Sequence, residues 1–325
     1  MDNKEIYKKT IGFSLWRLMW DCIAALLFFA FAGAGFLVAN GASNMGLVGL
    51  GIGAILGGIA AYIIVHFVAY TYKAGQIAMM TEGVVKNKLP ADTVKEGRKI
   101  VKERFATVAA YYAVTGAIKG VFRQIGNGIT AVGKAVGGDT GNAVGSTISS
   151  VINTIVAYLC DCCLGWVFYR KDTGAVKATL EGAVLFFRHW KTLFKNLGRV
   201  FGMSGLSYLV IAGVFTGIFY LITLAIPDAM NTLAAEIAEA AARSGKTLPD
   251  FMTNVTALSL VCSLIGGSIL WAIIHSAFVR PFILVGVLRN YINSGIDDIP
   301  DEKSFSELDK KSAKFAKLHS EMEKA

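Results

Sequence analysis

Long apolar stretches, about six of them, separated by connections of which every second one is rich in lysine and arginine, constrain this chain more than any other feature. They run over Cys22–Ala39, Met45–Tyr70, Phe105–Phe122, Thr147–Phe168, Val200–Ile226 and Val255–Phe278. A helix needs about 20 apolar residues to cross the hydrocarbon core of a bilayer, and the stretches are close to that length. The rest of the composition agrees, since 54% of the 325 residues are apolar and only 17% charged, against about a quarter charged in a soluble domain. Because the surplus is blocked rather than scattered, it belongs in lipid and not in an oversized core. The fold class expected is therefore all-α and integral to a membrane, about six spans in a bundle with cytoplasmic amphipathic helices.

Orientation follows from charge. The segments before the first stretch, between the second and third, between the fourth and fifth and after the sixth hold nearly all the basic residues, while the other connections offer little beyond Arg123, Lys134, Arg243 and Lys246. Cytoplasmic loops carry the excess of Lys and Arg, so both termini are expected in the cytoplasm and the chain in the plasma (inner) membrane. The first stretch lacks a clear small-residue cleavage site and is read as a retained span. Residues 1–292 then form a polytopic domain and 293–325 a polar cytoplasmic tail. The formal charge of +9 lies beside apolar blocks and forms no separate basic domain, which argues against nucleic acid and for membrane orientation.

Several stretches carry finer signals. Gly46, Gly49, Gly53 and Gly57 recur at spacings of three and four on one helical face, as in closely packed membrane helix pairs. The Gly-rich segment 126–145 reads as an amphipathic surface helix in preference to a flexible outer loop, and residues 228–250 as an alanine-rich acidic helix carrying Glu236 and Glu239. Two cytoplasmic connectors align when Glu96-Gly97 is placed over Glu181-Gly182. That register suggests an internal repeat of two spans plus one helix, a construction many transporters use.

No Gly-x-Ser-x-Gly elbow, His-Glu-x-x-His pair or phosphate loop is present, and no cofactor is implied. The five cysteines fall within or at the ends of apolar stretches and spell no disulfide framework. Cys160-Asp161-Cys162-Cys163 offers soft metal donors, but successive helical residues point in different directions, so a cysteine-rich, palmitate-accepting helix end is the preferred reading. Ionisable residues inside spans are costly and mark candidate paths. Asp21, one turn from Arg17, and Asp161, His66 and His275 are the candidates, with an interfacial pair or a packed imidazole as the plain alternative for each. The helix from Ala183 to Phe201 mixes Phe186, Phe187, Trp190 and Phe194 with Arg188, Lys191 and Lys195, a composition suited to an anionic leaflet. Those three cations are the candidate contacts to anionic lipid.

The cysteine-rich helix end at Cys160–Cys163, the basic aromatic connector Lys177–Phe194, two spans and the post-span helix with its charged tail (Val285–Asp298) together resemble the choline transporter-like family. The likeness covers about the last half of the chain, and the first half lacks the large extracellular domain of that family. It implies movement of choline or a related amine, which calls for an aromatic cage; no residue here is assigned to one. Expected partners are membrane lipids, anionic ones above all, and a second copy or another membrane protein. The function expected is movement of a small solute, ion or lipid through or along the bundle. A non-transporting scaffold that recruits proteins or lipids through its cytoplasmic helices is the alternative.

Overall fold

A computed structural model describes residues 1–43, 45–105, 110, 112–121, 141–194, 197–245, 249, 252, 254–310 and 312–323. Among them the chain is almost wholly helical, with no strand. Helix α1 spans Asn3–Ser43 and α2 Gly46–Ile63; α2 continues through a π turn, Ile64–Val68, into α3, Ala69–Lys86. Then come α4 (Thr93–Arg104), a helix at 112–121, α5 (Gly141–Tyr169), α6 (Ala175–Phe194) and α7 (Leu197–Ser207). A second π turn, Tyr208–Ala212, joins α7 to α8 (Gly213–Ala225). Helices α9 (Pro227–Arg243) and α10 (Val255–Ile274) follow, a third π turn, His275–Val279, leads into α11 (Arg280–Ile296), and α12 (Glu302–Asp309) and α13 (Ala313–Glu323) close the chain.

Four of these runs are long and apolar enough to cross a membrane: Asn3–Ala42, Gly46–Lys86, Val200–Ala225 and Val255–Ile296. Val156–Tyr169 is a shorter apolar helix. Three of the four have 40 to 42 residues, about 60 Å at 1.5 Å per residue and so about twice the hydrocarbon thickness. Each is thus longer than one crossing needs, and burial differs along its length. In α1, Ile6, Thr10, Phe13 and Ser14 are buried, at the spacing of one helical face against protein. Further along, Leu26, Leu37 and Val38 are about 70% exposed, as lipid-facing residues are.

By its contacts the chain divides into two interleaved units, Met1–Ser14 with Thr71–Val200 and Pro281–Ala325, and Leu15–Tyr70 with Phe201–Arg280.

The Leu15–Tyr70 and Phe201–Arg280 unit consists of two helix pairs. The α1–α2 pair meets along the glycine face read from the sequence: Gly46, Gly49, Gly53 and Gly57 are buried. A β-carbon on Gly53 would lie 2.1 Å from the Phe31 carbonyl oxygen, and one on Gly49 2.1 Å from that of Gly35, so the two backbones touch. A similar approach joins α8 and α10, where a β-carbon on Gly267 would stand 2.8 Å from the Thr216 backbone nitrogen. Helix α9, expected from its alanine-rich acidic sequence, starts with Pro227 at its first position and ends before Gly245, whose φ is +64°; both are favoured at those positions. Its Met230 and Ala234 pack on Leu258 of α10.

The other unit has a dense core in which Phe13, Ile77, Met80, Trp166 and Tyr291 are almost fully buried. Gln76 of α3 donates to Ser14 Oγ (3.0 Å) and to the Thr10 carbonyl (3.3 Å) of α1. Tyr7 of α1 meets Phe282 of α11 edge to face. Helix α3 ends at Asn87, in the left-handed region at φ 53°, a conformation asparagine tolerates, and α4 starts on Asp92, which accepts the Lys95 N–H at 2.9 Å.

One sequence expectation changes here, and the polar tail gains buried partners. The cysteine-rich end of α5 is not a surface for palmitate, because Cys160, Cys162 and Cys163 are buried among the residues of this core. The polar tail is folded: Phe305, Leu308 and Phe315 are buried, because α12 and α13 each turn an apolar face inward and pack with α6. Arg123, Lys134, Lys195 and the segment 126–140 lie outside the described residues.

Candidate functional site

Polar residues gather at one stretch of the α7–α10 pair. Serines 204 and 207 stand one turn apart on α7, and Ser268, Trp271 and His275 recur at spacings of three and four on the facing helix, which puts each set on one face. His275 Nε2 lies 3.1 Å from Ser204 Oγ, Trp271 Nε1 donates to Ser207 Oγ at 3.1 Å, and the Tyr208 hydroxyl lies 3.3 Å from Ser268 Oγ. The Trp271 ring packs at 4.9 Å on both Tyr208 and His275. Next along the chain, Ser276 Oγ donates to Asp21 Oδ2 at 3.1 Å, a second polar contact that ties α1 to the same run.

The backbone is irregular at these places. The three π turns among the described residues all fall in the apolar runs; one starts with Tyr208, one holds His275 and Ser276, and the third holds His66. A π turn adds a residue to the helical round, shifts the side-chain register and recurs at functional sites. His66 stacks on Tyr62 at 3.8 Å.

Of the residues singled out from sequence, His275 belongs to the Ser204–Trp271 cluster, and Asp21 bonds Ser276, the next residue along the same run. Asp161 is elsewhere, in the core of the other unit: its carboxylate is 4% exposed and lies 2.6 Å from Lys73 Nζ. The α5–α6 hairpin carries a second buried carboxylate. Glu181 accepts the indole N–H of Trp166 at 3.0 Å and lies 3.5 Å from Arg170. Burial raises the Glu181 carboxyl above the usual range; the Trp166 hydrogen bond and the charges of Arg170 and Lys177 oppose this without cancelling it. Arg104 donates to the carbonyls of Thr173 (2.8 Å) and Arg170 (3.0 Å), a cation at the negative end of α5. Its own pKa is lowered by burial, against the pull of Asp172.

Arg188 has protein partners. Its guanidinium meets Asp298 at 2.5 Å and Asp301 at 3.3 Å and also bonds Ser304, while His189 Nε2 lies 3.2 Å from Asp298. These contacts clasp α6 to the segment leading into α12. Phe186 is buried and Phe187 half-buried, so the first part of the aromatic face packs on protein. The side chain of Lys191 lies outside the described residues.

The glycines aligned by the expected repeat both sit at close approaches: a β-carbon on Gly97 would be 2.7 Å from the Gly75 oxygen, and one on Gly182 2.6 Å from Cys163 Sγ. Their neighbouring glutamates differ, Glu96 lying 3.8 Å from Lys99 on a solvated face and Glu181 being buried. The hydroxyls of Ser204, Ser207, Ser268 and Ser276 were not picked out from sequence. Serine spaced three or four apart between apolar residues was the available signal, and it is common enough in membrane helices to pass unnoticed.

A chain that is helical among the described residues, with four helices long and apolar enough to cross a membrane, has the character of a helical membrane protein. Comparison with protein-family models, with curated proteins and with solved structures gives no match.

Proposed function

We propose that this file of polar side chains is the path along which the protein moves a small polar solute, an ion or a lipid headgroup, in a bundle of about six spans with both termini in the cytoplasm. One observation carries the reading. Asp21, Ser204, Ser268, Trp271, His275 and Ser276 bring hydrogen-bonding groups together in helices otherwise apolar enough to cross a membrane, where polar groups are costly and mark substrate and ion pathways. The irregular backbone at the three π turns supports it further.

The orientation rests on the alternation of basic connections. It is supported by contacts outside the apolar halves: α1, α3 and α11 meet through Thr10, Gln76, Tyr7 and Phe282, which requires their ends to share one side of the bilayer. Each hairpin between those ends then crosses an even number of times. The stretches Phe105–Phe122 and Thr147–Phe168 supply the remaining hairpin of the six-span reading, and the connectors aligned at Gly97 and Gly182 its repeat.

Water access tests the path. Ser204, Ser268 and Ser276 are changed singly to cysteine in protein lacking Cys22 and Cys262, whose three remaining thiols are buried. A membrane-impermeant methanethiosulfonate reagent should modify these positions above the parent in proteoliposomes. If none of the three reacts, the file is dry packing, the path is abandoned and the scaffold reading takes its place. That second reading is favoured by the folded tail, whose hairpin offers a defined cytoplasmic surface rather than a loose extension.

A further inference from the structure

The tail hairpin holds a set of metal-ligating side chains that the proposed path does not use. His319 on α13 is 6% exposed, held among the rings of Phe305 (5.3 Å) and Phe315 (6.2 Å). Its Nδ1 lies 2.8 Å from Asp309 Oδ2. Its other nitrogen, Nε2, is buried and makes no hydrogen bond, a costly arrangement for a group that bonds strongly. That nitrogen points between two carboxylates, Glu302 Oε2 at 3.6 Å and Glu323 Oε1 at 3.9 Å. The nitrogen and the two oxygens all lie within 4.8 Å of one another.

The geometry points to a site for a divalent first-row transition ion of the zinc type, ligated by His319 Nε2, Glu302 and Glu323 and oriented by Asp309. Ligands about 2.0–2.1 Å from a tetrahedral ion stand about 3.4 Å apart, so each carboxylate must close on the nitrogen by a few tenths of an ångström and the two carboxylates, now within 4.8 Å, on each other by up to about 1.4 Å. Both glutamates are largely exposed, and their side chains are free to make that adjustment. An acceptor carboxylate on Nδ1 fixes the tautomer that leaves Nε2 unprotonated toward a metal, the usual outer partner of a histidine ligand. One imidazole with two carboxylates selects a borderline ion, whereas magnesium and calcium prefer oxygen alone. Two negative charges balance the ion, and three protein donors leave a position for water.

Position also matters. Glu302 begins α12 while His319 and Glu323 sit one turn apart near the end of α13, so the ion would pin the first turn of one helix to the last turns of the other. The same hairpin is clasped to α6 through Arg188, Asp298 and Asp301. Metal occupancy would therefore set how firmly the tail is held.

The full-length protein in detergent, stripped with a chelator, is titrated with Co²⁺ alone. One equivalent should bind, giving visible ligand-field bands without the charge-transfer band of a cobalt–thiolate bond, which excludes the cysteines. E302Q and E323Q, at exposed positions that tolerate substitution, should each weaken binding by at least about tenfold, and D309N by about 10- to 100-fold. E239Q, on the remote α9, should bind as the parent does. No cobalt binding, binding unchanged in both E302Q and E323Q, or a thiolate band would each overturn the assignment.

Discussion

Alanine at Gly53 is expected to force α1 and α2 apart, while the same change two residues earlier does not. The new methyl would lie 2.1 Å from the Phe31 carbonyl oxygen, about 1.3 Å short of an ordinary 3.4 Å contact. The obstacle is backbone, not the end of a flexible side chain, so one helix must back away. An additional gap of 0.5–1 Å forfeits about a quarter to a half of each atom pair's attraction along a seam. Overpacking of this kind costs about 1–3 kcal/mol. Alanine also favours helix over glycine by up to about 1 kcal/mol, which obscures a single measurement, but a methyl at Gly51 in the same helix would have nothing within 4 Å. The propensity gain is common to both positions and cancels in the comparison. G53A should therefore be less stable than G51A by about 1–3 kcal/mol, or about five- to 150-fold in the unfolding equilibrium, and G49A should behave as G53A does. Reversible unfolding in mixed detergent micelles, followed by tryptophan fluorescence, measures this difference. Equal stabilities for G49A, G53A and G51A would refute the backbone seam.

Two further outcomes follow from the other unit. Because burial raises the Glu181 carboxyl, its folded-state pKa lies above the unfolded one, so stability falls as pH rises from the ordinary carboxylate range through the raised value. E181Q keeps an oxygen for the Trp166 indole and should flatten that fall in thermal unfolding measured against pH; an unchanged slope would place the titration elsewhere. R188A removes the clasp to Asp298 and Asp301 and should speed limited proteolysis in the loop 297–301 while leaving the spans protected, whereas cleavage at the parent's rate would mean that helix packing alone holds the tail.

Much of the architecture was legible before any fold was known. Apolar runs of membrane length depend only on composition along the chain, and the glycine face from Gly46 to Gly57 is a helical periodicity; four of the runs and that face appear in the structure because neighbours in sequence decide them. The amphipathic helix after Pro227 was readable for the same reason. The sequence did not reveal that α1, α3 and α11 run on as single helices into a folded unit, since Asn3–Ser14 and the residues after Arg280 look like polar flanks until their buried partners are known. Cys160 to Cys163 read as a helix end at the membrane surface, and only packing against α6 and α11 buried them. Arg188 read as a lipid-facing cation, yet Asp298, 110 residues away, claims its guanidinium. Asp21 was conspicuous alone, but its place beside Ser276 required a contact across 255 residues. Local periodicity fixes which face of a helix is apolar, because backbone geometry repeats every few residues. Which distant side chain answers a buried charge or a free imidazole nitrogen depends on chain closure over hundreds of residues, and that the tertiary structure alone decided.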